Sequence, residues 1–334
     1  MQGIDIESAT NELTYAVEYP HDIIAVDADF VRPRMAAAYI VRCGDQAVIV
    51  ETGTNHTVPH LLTVMQREGI APEQVAYIMP THVHLDHAGG VGSLMQHLPK
   101  AELLVHPRGL RHLVDPERLE QSSRKVYGDA MFERMYGSII PAPAERTRAV
   151  EEGERVSVGG REFIFSDTPG HAKHHYCVWD ETSQGWFSGD TFGLSYRELD
   201  TEGGSFIFPT TTPIHFDPQA LRASIDKLMS RQPKYMYLTH FGRVEQPPIL
   251  ARQLLSGLDR LVAIAESAQQ SHEAGTLDRQ QRGDQLRADI RAWLRQALAD
   301  HGWQGDDDAW NRLLEPDVEL NAQGIEFWLD HRSN

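Results

Sequence analysis

Two cysteines in 334 residues, Cys43 and Cys177, are too few for a disulfide framework or a thiolate zinc site, and a reducing compartment fits that usage best. Basic residues are also scarce. Thirty-one Lys and Arg stand against 48 Asp and Glu, a formal charge of −17. Such a surface repels phosphate backbones and anionic membrane faces, so neither nucleic acid nor membrane is expected as a partner. No apolar run approaches the length needed to span a bilayer. The start, M-Q-G-I-D-I-E-S, lacks the basic and apolar regions of an export signal, which points to a cytoplasmic protein. Nor is there a repeat of solenoid period or a low-complexity tract. What the chain does have in quantity is histidine, 17 in all.

Short β-branched runs at 22–28, 36–42 and 46–50 read as strands separated by turn residues. A helix capped by Thr57, with Pro59 in its first turn, is expected to stop at Gly69. Val75–Met79 is a buried strand that runs into T-H-V-H-L-D-H-A-G-G, followed by a helix near 91–98 and a strand at 102–106. Residues 108–137 are helical in propensity and read as an excursion bordering a site. A second strand block begins near Arg155 and includes R-E-F-I-F-S-D, H-Y-C-V-W-D and G-W-F-S-G-D. A helix at 217–230 and a strand at 235–238 close it. The alternation of strands and helices in two similar blocks predicts a layered α/β sandwich. Beyond about Ile249 the pattern is purely helical, with stripes at Leu254, Leu258, Leu261 and Val262 and at Leu286, Ile290, Trp293, Leu294 and Leu298. Residues 271–284 read as a polar connection between them, and Asp306–Asp308 as a helix N-terminal charge cluster. The expected organisation is a catalytic domain over 1–247 and a helical extension over 248–334.

His82, His84, Asp86 and His87 fall within six residues directly after a strand. In extended backbone, residues two apart face one side, so His82 and His84 can reach one ion, and a turn would aim Asp86 and His87 at a second position. At this histidine content a chance match is on the order of one in several hundred. His171 in T-P-G-H, Asp190 in F-S-G-D-T and His240 in Y-L-T-H-F-G each end an apolar run, the place where a strand delivers a side chain to a sheet edge.

The ordered set H-V-H-L-D-H, T-P-G-H, G-D and T-H, across roughly residues 20–245, resembles the metallo-β-lactamase fold superfamily of metallohydrolases. The resemblance implies an αββα four-layer sandwich with metals at one edge, between the sheets. It implies that His82, His84 and His171 bind a first metal, that Asp86, His87 and His240 bind a second, and that Asp190 bridges both. Two divalent ions, zinc on this nitrogen and carboxylate donor set, with iron or manganese as alternatives, are the implied cofactors. Glu51, where the family more often has Asp, is expected to buttress the metal loop. Two cations would acidify a shared water into a nucleophile, with Asp86 orienting it and passing a proton.

Among the branches, Asp190 and the N-terminus argue against true β-lactamases. Homoserine-lactone lactonases carry a carbonyl-binding tyrosine at the position of Gly193 here, and Tyr196 is out of register. Glyoxalase-II-type thioesterases share T-P-G-H, G-D-T and a helical C-terminal segment, but no basic set for glutathione carboxylates is evident. The nearest pattern is a broad cytoplasmic branch with T-P-G-H-A-x-H-H. The function expected is hydrolysis of a thioester, lactone or phosphoester of a small molecule. The alternative is a redox enzyme on the same fold, a mononuclear-iron persulfide dioxygenase or a diiron protein. The helical tail suits the wall of a pocket and the interface of a homodimer equally. His174 and His175 are expected to support the ligands; His97, His106 and His112 are expected at the surface or at helix ends. His215, Phe208, Phe192 and Tyr196 are expected near the pocket.

Overall fold

A computed structural model describes residues 15–211 and 214–332. The N-terminal stretch on which the reading of an absent export signal rests lies outside the described residues. The chain begins with β1 (Ala16–Tyr19), β2 (Ile23–Asp27), β3 (Ala37–Cys43), β4 (Gln46–Val50), α1 (Val58–Arg67), β5 (Val75–Met79), α2 (Leu85–Ala88), α3 (Val91–His97) and β6 (Glu102–Val105). It continues with α4 (Leu110–Val114), α5 (Glu117–Tyr127), α6 (Asp129–Tyr136), β7 (Thr147–Ala149), β8 (Arg155–Val158), β9 (Arg161–Asp167), β10 (Tyr176–Asp180) and β11 (Gly185–Gly189). After these come α7 (Pro218–Ser230), β12 (Tyr235–Leu238), β13 (Gly242–Glu245), α8 (Pro247–Glu273), α9 (Arg279–Asp300), α10 (Asp307–Leu313) and α11 (Glu315–His331).

Two mixed sheets form, one in the order β1-β2-β3-β4-β5-β6-β7 and one in the order β13-β12-β11-β10-β9-β8. The central strands of the first sheet read as unbroken apolar runs because both faces are covered. Successive residues go to opposite sides: Ile24, Val26, Ala38, Ile40 and Ile49 pack with α1 and α3. Ile23, Ala25, Tyr39, Val41, Val48 and Val50 pack against Phe163, Phe165, Val178 and Phe187 of the second sheet. The alternation slips once. Ala47 pairs with Val75 but Val48 pairs with Tyr77, so β5 bulges at Ala76. The α/β sandwich inferred from the alternating blocks is thus the fold found, with a C-terminal helical region.

Polar groups between the sheets are satisfied across the gap. Tyr39 OH donates to Leu238 O, Ala37 N donates to Thr239 O at 2.8 Å, and Tyr176 OH donates to Leu104 O at 2.7 Å. Arg161 and Asp180 form a two-pronged buried pair, with Nε–Oδ1 at 2.8 Å and Nη2–Oδ2 at 2.5 Å. Arg161 Nη1 also donates to His21 O and Arg42 O, at 2.6 and 3.2 Å.

The described chain divides into two compact units. The first takes the residues up to Asp167, His174–Gly189 and Lys234–Arg243; the second takes Thr168–Lys173, Asp190–Pro233 and the chain from Val244 onward. In the second unit the stripes found in the sequence are buried at Leu254, Leu258, Leu261, Leu286, Ile290, Leu294 and Leu298. Asp217 caps α7 by accepting from Ala220 N, and Asp306 caps α10 by accepting from Ala309 N, as the charge cluster implied.

Residues 108–137 are helical as expected, in three helices with a break at Gly128 (φ +75°). Two local expectations change. Thr57 does not cap α1 with its side chain; Thr54 caps a preceding 3-10 turn, and Thr57 Oγ1 instead donates to Ala28 O at 2.9 Å. The polar stretch 271–284 is mostly helix, with only 274–278 connecting α8 to α9. Polarity alone does not separate a loop from a solvent-facing helix end, and the Asp278–Gln281 capping box starts α9 inside that stretch.

Replacing Asp180 with Ala strands a buried guanidinium. Asp180→Ala is expected to destabilise the protein by about 3–5 kcal/mol, read as a lower urea midpoint at unchanged m-value.

Candidate metal centre

Beyond β5 the chain bends at Thr81 and His82, is extended at His84 and then turns into α2, and this brings the first donors together. His82 and His84 sit two residues apart, and His82 Nε2 lies 2.7 Å from His84 Nδ1. Two imidazole nitrogens this close converge on one point and call for a cation or shared proton between them. His87, one turn into α2, packs its ring 4.0 Å from that of His82. At the end of β12, His240 follows Thr239. Asp86 Oδ2 lies 3.5 Å from His87 Nε2 and 3.4 Å from His240 Nε2. One donor atom from each of Asp86, His87 and His240 falls within 4.8 Å of the others. His82, His87 and His240 are buried, whereas His84 and Asp86 keep partial access to solvent.

The hydrogen bonds behind these rings set their tautomers. His240 Nδ1 is 2.7 Å from Met35 O, and a carbonyl can only accept, so Nδ1 carries the hydrogen and Nε2 presents a lone pair towards Asp86. His87 Nδ1 faces Glu51 Oε1 at 3.0 Å with the same consequence. Thr81 Oγ1 donates to Glu51 Oε1 at 2.5 Å, which leaves its oxygen to accept from His82 Nδ1 at 3.2 Å. All three rings are therefore held in the form that binds a metal through Nε2. Imidazole and carboxylate donors without thiolate suit zinc and other divalent ions of the first transition row, so the residues fit the expected group.

Glu51 is the support. It is 1 % exposed, at the end of β4, and its φ of +63° is one that L side chains rarely adopt. Its carboxylate accepts from Thr81 N (3.0 Å), Thr81 Oγ1, His87 Nδ1 and Thr239 Oγ1 (3.0 Å). Thr81 and Thr239 went unnoticed in the sequence. The signal was available: each immediately precedes a candidate ligand histidine in a T-H pair at a strand end. The carbonyl of Met35 carries no sequence signal at all.

In the second unit, His171 and Asp190 come together, with Nε2–Oδ2 at 3.3 Å, and both are buried. The loop bearing His171 is tied to α7, through Asp217 N to Gly170 O at 2.9 Å and Ser224 Oγ to Pro169 O at 2.6 Å.

Other residues sort by burial. His175 is buried and stacks on His82 at 4.8 Å, and His174 meets His84 edge-on at 5.5 Å, the packing role expected of them. His97 is exposed at the end of α3, as expected. His106 is not a surface residue: it is 7 % exposed, its Nδ1 accepts from Arg108 N, and its Nε2 donates to Asp167 Oδ1 at 3.0 Å. Burial pushes its pKa down, and the Asp167 contact only partly offsets that. His112 is half-buried, and desolvation followed by Arg111 lowers its pKa too. Phe192, Phe208 and Tyr196 are buried, and His215 is half-buried. Gly193 has φ +73°, and a Cβ there would stand 2.6 Å from Phe208 O and from Leu254 Cδ1.

With this geometry described, comparison with known proteins is informative. Residues 31–240 match the profile of the metallo-beta-lactamase superfamily. The chain belongs to that superfamily. A "Metallo-beta-lactamase fold-containing protein ST1585" of Sulfurisphaera tokodaii is 27% identical over 245 residues, 72% of this chain and 84% of that protein. The crystal structure of ST1585 covers 92% of this chain and 99% of its own at a TM-score of 0.61 and 22% identity. A "Hydroxyacylglutathione hydrolase" of Xanthomonas campestris pv. campestris is 31% identical over 180 residues, 54% of this chain and 52% of that protein. An "Acyl-coenzyme A thioesterase MBLAC2" of Gallus gallus is 26% identical over 164 residues, 46% of this chain and 57% of its own. The chain thus spans about half the length of these last two relatives. Like other metallo-beta-lactamase proteins, it has a histidine- and aspartate-rich centre suited to divalent metal. No helix among the described residues is long and apolar enough to cross a membrane.

Two outcomes follow for this centre. Glu51→Ala removes the acceptor of four donors, and outer supports of this kind are worth about 10–100-fold in metal affinity. That loss should appear in competition with a chromophoric chelator. His106 has a pKa below its ordinary 6.5, so its contribution to stability is complete above that pH and is lost as pH falls through the folded value. His106→Asn should therefore flatten the fall in urea stability between neutral and acidic pH.

Proposed function

We propose that this chain is a dinuclear metal-dependent hydrolase that cleaves an ester-type bond of a small molecule, with a thioester favoured over a lactone or phosphoester. In this reading His82, His84 and His171 hold one ion, Asp86, His87 and His240 hold the other, and Asp190 joins the two. Zinc is the proposed metal, residues 1–247 the catalytic domain and residues 248–334 a helical extension. The observation that carries the reading is the convergence of Asp86, His87 and His240 donors within 4.8 Å, each histidine preset by a partner on its other nitrogen. Bound divalent ions supply an acidified water as nucleophile and polarise the oxygen under attack.

The chain's own residues do the rest. Asp86, partly open to solvent, is placed to orient the attacking water and to accept its proton at a carboxylate oxygen. His87 and His240 flank that carboxylate with unprotonated Nε2 atoms, so the three groups are placed to share one cation. Glu51 keeps the His87 imidazole from rotating as charge builds up. Two observations favour the thioester. The relatives from Xanthomonas and Gallus are named as a hydroxyacylglutathione hydrolase and an acyl-coenzyme A thioesterase. Position 193, where lactonases carry a tyrosine, has no room for any side chain. A net charge of −17 argues for a small-molecule substrate over nucleic acid. The buried Cys43 and Cys177, which form no disulfide, fit the cytoplasm.

Purified protein is expected to hold about two zinc ions per chain and to hydrolyse acyl thioesters, with His84→Ala losing at least about 100-fold in kcat at preserved circular dichroism. Unchanged turnover in His84→Ala would sink the mechanism. One iron per chain with oxygen consumption would replace it with the redox alternative.

A further inference from the structure

The second unit contains a loop whose first residue is Asp190 and whose shape is dictated from the far C-terminus. Gly193 N donates to Asp190 O at 3.0 Å, and Thr191 Oγ1 donates to Thr168 O at 3.3 Å, in the segment that carries His171. Leu194 and Phe208 then form an antiparallel bridge, exchanging hydrogen bonds of 2.9 and 3.0 Å, so the chain from Asp190 to Thr211 folds back about that bridge as one flap. Such a flap has little core of its own, and its geometry has to be imposed by what it touches.

Its tip meets the turn after α9, where Thr201 Oγ1 donates to His301 O and Trp303 Nε1 donates to Glu198 O, both at 2.9 Å, and its base meets α11. Tyr196, 1 % exposed, donates its hydroxyl into the Asp317 carboxylate, 3.1 and 3.2 Å from the two oxygens. Asp317 is itself buried, in the first turn of α11, where the helix N-terminus favours its charge. At the other end of the flap, Thr211 N donates to Asn321 Oδ1 at 2.7 Å, and Thr211 Oγ1 donates to Asn321 O at 2.8 Å. Asn321 is 1 % exposed. Asp317 and Asn321 lie one turn apart on a single helix face and grip the two ends of the flap. Gly324, nearly a turn further, lets that face approach so closely that a Cβ would meet Thr211 O at 2.6 Å.

We propose that Asp317 and Asn321 are positioning residues for Asp190: α11 clamps the 190–211 flap so that the Asp190 carboxylate is preset beside His171. The C-terminal extension would then belong to the metal site rather than being an appendage to it. The inference rests on the reading of Asp190 as a metal ligand. Buried charge-assisted contacts such as Tyr196–Asp317 hold geometry because either group alone is costly to leave without its partner.

The test is Zn2+ titration of the full chain in competition with a chromophoric chelator, for wild type, Asp190→Asn, Tyr196→Phe, Asp317→Asn and the Tyr196→Phe/Asp317→Asn double variant. Thermal unfolding is followed in parallel, and affinities are measured well below each transition. The expected result is a loss of about 10–100-fold in affinity for the weaker ion in each single variant, with the double variant no worse than either. A purely structural contact would lower the unfolding temperature and leave Zn2+ affinity in place. If Asp317→Asn does not fold, Tyr196→Phe, which keeps the ring, decides. Affinity within threefold of wild type in Tyr196→Phe, while Asp190→Asn loses an ion, overturns the clamp and leaves the ligand reading standing. An undiminished ion count in Asp190→Asn overturns the ligand reading and the clamp with it.

Discussion

One buried carboxylate organises the candidate centre of the first unit. Glu51 receives hydrogen bonds from the ends of two other strands and from α2, and its own backbone is held in the left-handed region to reach them. A charge removed from water in this way is tolerated only when its oxygens are fully engaged. The cost of burying it therefore becomes a constraint: Thr81, Thr239 and His87 can each move only by leaving a buried charge less satisfied. Rigidity at the strand ends follows from that, and so does the fixed direction of the histidine rings.

The same logic recurs at each donor. Three imidazoles are aimed with Nε2 at the centre by what their Nδ1 meets, a carbonyl at His240, a carboxylate at His87 and a hydroxyl at His82. Preorganised donors need little rearrangement when a cation binds, which preserves affinity that a floppy cluster would lose in ordering its side chains. Asp86 and His84 are less enclosed, and this suits groups that have to meet a substrate or a proton. Packing supplies the remaining restraint: His175 stacks on His82, and the bulged β5 leads directly into the loop that carries the first four donors.

Much of this was readable in the residues. The spacing of His82, His84, Asp86 and His87 after an apolar strand required only the period of extended backbone and a turn. The stripes of α8 and α9 required only the helical period. Other features were not readable, for particular reasons. Thr57 has the chemistry of a helix cap, yet it is drawn off by Ala28 O, a partner the local sequence does not reveal. The polar residues of 271–284 suit both a loop and a wetted helix end, and capping at Asp278 decided between them. His106 looked like a surface residue because its neighbours Pro107 and Arg108 are exposed, while its ring turns inward to Asp167.

The amino-acid order alone marked the candidate donors, the strands that end at them and the family to which the chain belongs, because these depend on residue type and short spacing. Tertiary structure decided which nitrogen of each ring faces inward and which carboxylate supports the group. Those outcomes depend on partners such as Thr239, which stands 188 residues from Glu51. A hydrogen bond is specified by position in space, and only the closed sheets bring such residues to within 3 Å of each other.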